Sequence, residues 1–152
     1  HKLKKTIRLF LVWLTIIIDI KERKFIFTLE QDGFIKSIKK TLSPNHDERP
    51  ANALISLIVI HNISLPPNQF GGDDIEKFFQ NKLDSKKHVY YQSIKDFKVS
   101  SHFLIKRSGE ITQFVSCHKR SWHAGQSIWK NKKNCNDYSI GIELEGSDYV
   151  PF

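Results

Sequence analysis

The run Leu54–Ile63, reading Leu-Ile-Ser-Leu-Ile-Val-Ile-His-Asn-Ile, constrains this chain most. β-Branched side chains lose rotamer freedom in a helix and pack well on a pleated sheet. The run is short and densely apolar, so it predicts a strand buried on both faces. It ends at His61-Asn62, and Ser64 and the Pro66-Pro67 pair then break the pairing. A second strand is predicted over Tyr138–Gly146, where Ile140, Ile142 and Leu144 alternate with Gly141, Glu143 and Glu145. Ser101–Arg107 and Glu110–Ser116, joined by Ser108-Gly109, predict a hairpin. Gly33–Ile38 reads as a further short strand. Gly71-Gly72-Asp73-Asp74 opens a helix with Asp73 or Asp74 as N-cap, and Ile75, Phe78, Phe79 and Leu83 line one face. The proline-flanked Ser43–Pro50 and the Trp-, Asn- and Lys-rich Ser121–Asn136 read as loops.

The 152 residues are one domain's worth, and 39% hydrophobic with 12% aromatic residues suffices for a core. Cys117 and Cys135 form no CxxC motif and read as two free thiols in a reducing compartment. The net charge of +8 raises the question of nucleic acid. Residues 1–40 carry +6 of it and residues 41–152 only +2, with no basic stripe to track phosphates. No nucleic-acid partner is expected.

Ile7–Ile18 follows Lys2, Lys4, Lys5 and Arg8, like the charged and apolar regions of an export signal. It is short for a membrane span of about 20 residues, and no small-x-small cleavage site follows. Stable membrane insertion is not expected. An export signal or interfacial anchor competes with a stretch outside the functional domain. The chain opens on His1 and stops at Phe152 soon after a strand, so it reads as a fragment.

His61 stands where a strand gives way to a loop, held yet reachable, which suits a zinc ligand. On position alone, a hydrogen-bonded structural histidine is the stronger reading. Glu143 faces away from the apolar side of its strand. It meets solvent or lines a cleft, and beside a metal-activated water it becomes a general base. Glu145 points the same way and competes with it. Trp122-His123-Ala124-Gly125 combines an aromatic plate, an imidazole and a flexible turn, suited to a sugar or peptide, although a buried Trp anchoring a loop explains it equally. His46, His88, His102 and His118 have no ligand spacing. HExxH, G-x-S-x-G, the P-loop and G-x-G-x-x-G are all absent. Adjacent Cys117 and His118 make a poor dyad.

Five blocks in order resemble the AmpD-type N-acetylmuramoyl-L-alanine amidases (amidase family 2). They are Ile58–Pro67 with Phe70-Gly71-Gly72, Val99–Ile105, Gly109–Val115, Lys119–Gly125 and Cys135–Gly146, preceded by a matching loop from Ser43 to Pro50. The resemblance covers roughly residues 32–150. It assigns residues 31–152 to a partial amidase domain and leaves 1–30 as an extension without counterpart. It implies an α/β (α+β) fold with a mixed central sheet flanked by helices, incomplete at the C-terminus. It implies a zinc ion (Zn2+) held by two His and one Asp. The first His matches His61, and the catalytic Glu matches Glu143. Asn62, Trp122 and His123 fall near the family's substrate groove. Lys98 falls where relatives often carry an Arg that engages the stem peptide, and a Lys there keeps the charge but loses the bidentate fork. The second His, the Asp and a catalytic Lys are expected beyond Phe152.

The resemblance thus implies zinc-dependent hydrolysis of the amide between (anhydro-)N-acetylmuramic acid and L-alanine, in cytoplasmic recycling of cell-wall peptidoglycan, by a monomer acting on a muropeptide. Two alternatives remain. One is a muropeptide-binding module without catalysis, since related recognition domains lose zinc ligands. The other is an exported amidase, if residues 1–20 act as a signal.

Overall fold

The computed structural model describes residues 15–20 and 23–152, with side chains from residue 27 onward. Residues 7–14 of the signal-like run therefore lie outside the described residues. The rest of that run falls in β1 (Thr15–Ile20), which pairs antiparallel with β2 (Arg23–Thr28). No described helix is long and apolar enough to cross a membrane.

Five strands form the central sheet: β3 (Lys39–Lys40), β5 (Leu57–Ile63), β6 (Phe103–Ile105), β7 (Ile111–Gln113) and β11 (Ser139–Glu145). Their order is β3-β7-β6-β11-β5. Only β6 and β7 run antiparallel; the other neighbours are parallel. With the short helices α1 (Asp74–Phe79) and α2 (Val89–Ile94), this is the expected mixed-sheet α/β fold. The β6–β7 hairpin closes as its sequence predicts. Gly109 takes φ +84°, a left-handed conformation that glycine adopts without strain, and its N–H donates to the Lys106 carbonyl at 2.8 Å.

The core gathers where α1 and α2 cover the sheet. Ile75, Phe78 and Phe79 of α1 and Tyr91 and Ile94 of α2 bury against Leu104 and Phe114, with Leu83 packed at the margin. Phe79 meets Phe114 edge-on, ring centres 5.1 Å apart. Such burial is worth roughly 2 kcal/mol per large side chain. Asp74 is buried here but paired: the Tyr91 hydroxyl and the Lys87 ammonium both donate to its carboxylate. Asp73 does occupy the N-cap of α1, but its side chain makes no cap hydrogen bond and binds Lys77 instead.

Four expectations need correcting. First, β5 is not buried on both faces. It is the edge strand of the sheet, and Ile58 and Ile60 are exposed while Leu57, Val59, His61 and Ile63 are half-buried. Second, Gly33–Ile38 forms turns with one isolated bridge, Leu29 to Ile35, because the Gln113 side chain takes up the Ile35 N–H and the Gly33 carbonyl that a strand would need. Third, the loop 43–50 contains β4 (His46–Glu48), paired antiparallel with β8 (Lys119–Ser121). Fourth, the loop 121–136 contains a hairpin of β9 (Ile128–Trp129) and β10 (Lys132–Lys133). Its turn residues Lys130 and Asn131 both have positive φ, the conformation whose twist suits a two-residue hairpin.

Candidate active site

β5 and β11 lie side by side and parallel, with Glu143 opposite His61 in the register. Register partners on adjacent parallel strands project from the same face, with backbones about 4.8 Å apart. The imidazole and the carboxylate are therefore neighbours on one side of the sheet. On β11 the alternation runs against its polarity. Ser139, Gly141, Glu143 and Glu145 are buried, whereas Ile140, Ile142 and Leu144 are only half-buried. The polar face of the strand is the packed one.

Glu143 is 7% exposed. Burial is the sole cause that pushes its carboxyl up to about 8. Glu145, the competitor, has a different environment. Its Oε1 accepts the Gly71 N–H at 2.6 Å and its Oε2 accepts the Arg107 N–H at 3.0 Å. Both oxygens are committed to holding two loops on the strand, so Glu145 is a structural tie, whereas the Glu143 carboxyl makes no hydrogen bond to a described residue.

His61 is half-buried, and desolvation lowers its pKa, which favours a neutral imidazole. Its Nε2 lies 3.0 Å from Nδ1 of His123, the rings meeting edge-on. His123 comes from the loop after β8. That loop is fixed by the Asn136 side chain, whose oxygen accepts the N–H groups of both His123 and Ala124. The other His123 nitrogen, Nε2, lies 2.9 Å from the Ser139 hydroxyl. The ring rests on Gly141, where a Cβ would come within 2.5 Å of it. Desolvation first, then the neighbouring His61 imidazole and the Arg49 guanidinium, hold His123 down to about 4.

His102 extends this row and is fully buried. Its Nδ1 accepts the Gly141 N–H at 3.0 Å, so the ring hydrogen is on Nε2 and donates to the Lys119 carbonyl at 3.1 Å. Desolvation drives its pKa to about 3, and the ring stays neutral. Arg49 closes the row from beneath. Its guanidinium donates to the carbonyls of Asn136, Asp137, Cys117 and Ser139, and so joins the loop before β5 to the start of β11.

The remaining expected residues stand apart from this cluster. Asn62, next to His61 on β5, faces the opposite side and donates to Asp148 at 3.0 Å. It lines a cleft of about 430 Å³ with Leu65, Phe97 and Val99. Lys98 is exposed beside Val99. Trp122 is half-buried, and its backbone N–H donates to the Ser100 hydroxyl at 3.1 Å. The structure thus joins His61, Glu143 and His123 and leaves Asn62, Lys98 and Trp122 outside. His102, Arg49, Ser139 and Gly141 were missed. Only the motif glycine between two buried polar positions hinted that something large packs there. Both cysteines are free thiols.

Among the described residues, no group of three or more His, Cys, Asp or Glu side chains is placed to hold a metal. The chemistry of His61 still fits one ligand: a neutral imidazole with one nitrogen anchored and the other, Nδ1, making no hydrogen bond to a described residue.

The family model described as N-acetylmuramoyl-L-alanine amidase matches residues 50–152. The chain is 50% identical over 122 residues to the 1,6-anhydro-N-acetylmuramyl-L-alanine amidase AmpD of Haemophilus influenzae, covering 80% of this chain and 66% of that protein. It is 44% identical over 124 residues to the Escherichia coli K12 protein of the same name, covering 82% and 68%. Among solved structures, the crystal structure of a selenomethionine AmpD derivative superposes with a TM-score of 0.76 at 46% identity, over 79% of this chain and 67% of the other. The solution structure of Citrobacter freundii AmpD gives 0.53 at 46% identity, over 81% and 66%. The chain spans about two thirds of the length of the relatives it matches.

Proposed function

Since this chain belongs to the N-acetylmuramoyl-L-alanine amidase family, we propose that its protein hydrolyses the amide between 1,6-anhydro-N-acetylmuramic acid and the L-alanine of a stem peptide. The anhydro form is taken from the names of the two relatives. The observation that carries the reading is the register of β5 and β11, which puts Glu143 beside His61 on one face.

His61 provides one of the ligands to a zinc ion, and the other protein ligands come from outside the described residues. Zinc, when bound, supplies Lewis acidity at the scissile carbonyl and makes water nucleophilic at neutral pH. Glu143 accepts the proton of the attacking water and delivers it to the departing alanine nitrogen. Its burial suits both halves of that exchange. A carboxyl pushed up to about 8 holds a proton well near neutrality, and a nearby cation brings it back toward the ionised form. Asn62, Lys98 and Trp122 are assigned to the muropeptide, with Asn62 on the wall of the cleft of about 430 Å³. We place the reaction in cytoplasmic peptidoglycan recycling.

The test is cleavage of an anhydro-muropeptide by the full-length protein, with and without a chelator. Zinc-dependent release of the peptide is expected, and cleavage that resists the chelator refutes the reading. A binding module without catalysis is the second reading. Muropeptide binding by the full-length protein without zinc binding would establish it.

A further inference from the structure

His61 uses one ring nitrogen on His123, and the other makes no hydrogen bond to a described residue. Its Nε2 is engaged by Nδ1 of His123, and the remaining His123 nitrogen is engaged by Ser139. A neutral imidazole carries its hydrogen on one nitrogen only, so the two contacts are coupled. If Nε2 of His61 donates to His123, then His123 must accept at Nδ1 and donate from Nε2 to the Ser139 oxygen. In that arrangement His61 Nδ1 keeps its lone pair. In the reverse arrangement Ser139 donates to His123, His123 donates to His61, and the hydrogen on His61 Nδ1 blocks that nitrogen.

We propose that His123 is a positioning residue that holds His61 in its Nε2–H tautomer, with Ser139 as the terminal acceptor, so that Nδ1 is presented to the metal. This role rests on the zinc reading above and replaces the substrate contact expected for His123 from the sequence. Three independent features build the perch for the ring. Asn136 pins the backbone at two N–H groups. Gly141 leaves the space that the ring fills, since any Cβ there would meet three of its atoms at 2.5–2.8 Å. Ser139, two residues earlier on the same face of β11, receives the outer nitrogen. Partners of this kind fix both tautomer and ring direction in metal-binding histidines.

The experiment uses the full-length protein labelled with 15N-histidine, with zinc affinity measured by competition against a chelating dye. In the metal-free parent the His61 spectrum is expected to show the Nε2–H tautomer. His123→Ala should scatter that tautomer and weaken zinc binding by about 10–100-fold. His123→Asn, whose amide oxygen falls near the former Nδ1, should restore most of both. Ser139→Ala, which leaves His123 in place, should weaken zinc binding by a smaller factor and tests the same chain if His123→Ala does not fold. KM should stay within about 2-fold of the parent in every variant that keeps its zinc. The proposal is overturned if His123→Ala keeps the tautomer and the zinc affinity, or if it raises KM alone, which marks a substrate contact. If the parent cleaves nothing and binds no zinc, the functional reading fails separately. The metal-free tautomer still decides the His61–His123 bond.

Discussion

Replacing Glu143 by Gln separates the chemistry of this carboxyl from its effect on stability. In the folded chain the group is pushed to about 8 from an ordinary 4.5, by burial alone. Between those two values the folded state holds a proton that the unfolded state has lost. Stability therefore falls as pH rises through that window and levels off above it. Each pH unit of displacement is worth about 1.4 kcal/mol, which sets a ceiling near 5 kcal/mol; the water that reaches the exposed edge of the side chain reduces this to about 3. Glutamine has nearly the same shape and no proton to lose. The metal-free variant should match the parent near pH 4.5 and exceed it by about 3 kcal/mol above pH 8. His102 and His123 tilt stability the opposite way, because both are held below their unfolded value of 6.5. Their contribution is lost as pH falls, but it is common to both proteins and cancels in the difference. Urea unfolding from pH 4.5 to 9 in the presence of a chelator measures that difference. A flat difference across the window refutes the buried, unpaired state of the carboxyl. With zinc restored, the same variant should lose about 10²–10⁴ in kcat.

Other perturbations separate structural roles from catalytic ones. Glu145→Gln puts an amide N–H against a backbone N–H donor and should cost about 1–3 kcal/mol in urea unfolding, while kcat of the folded protein stays near the parent's; a loss like that of the Glu143 variant would reverse the assignment of the two carboxyls. Gly141→Ala should lower the melting temperature by an amount equivalent to about 1–3 kcal/mol, because the His123 ring must move; an unchanged melting curve would show the perch to be loose. Arg49→Met strands four carbonyls and should cost about 3 kcal/mol or more, and a variant as stable as the parent in thermal unfolding would contradict that. Cys117, a half-buried thiol pushed up to about 11 by desolvation, should react with iodoacetamide at neutral pH at least about 100-fold more slowly than a fully exposed thiol, and rapid labelling of the folded protein would contradict that shift.

Local patterns in the sequence located some elements and failed for others, and the difference is physical. The β6–β7 hairpin and β11 were legible because a glycine turn and a strict two-residue period are local signals. The side of β11 that would be buried was not. Polarity suggested that the isoleucines face inward, but α1, the His123 loop and the row of imidazoles cover the other side. β4 was hidden because it is polar, lies between prolines and finds its partner 73 residues later through the Asp47–Arg120 pair. The β9–β10 turn carries Lys and Asn at positive φ, without the glycine that usually announces such a turn. His61 and Glu143 were legible as motif residues. Their adjacency came only with the register, and the roles of His102 and Arg49 exist only through contacts made by distant parts of the chain.

The strand order has a consequence for how the protein is made. β11 lies between β5 and β6 in the sheet, yet it is the last of the five strands to be synthesised. While the ribosome works through residues 64–138, β5 has no sheet neighbour to pair with, and one of its sides carries exposed isoleucines. Pairings between such distant segments form slowly, and unpaired strands of this kind attract other nascent chains. The chemistry is subject to the same timing, because Glu143 arrives on the strand that closes the gap. A polypeptide halted before β11 would display an unpaired β5 edge, with His61 on it and no Glu143 beside it.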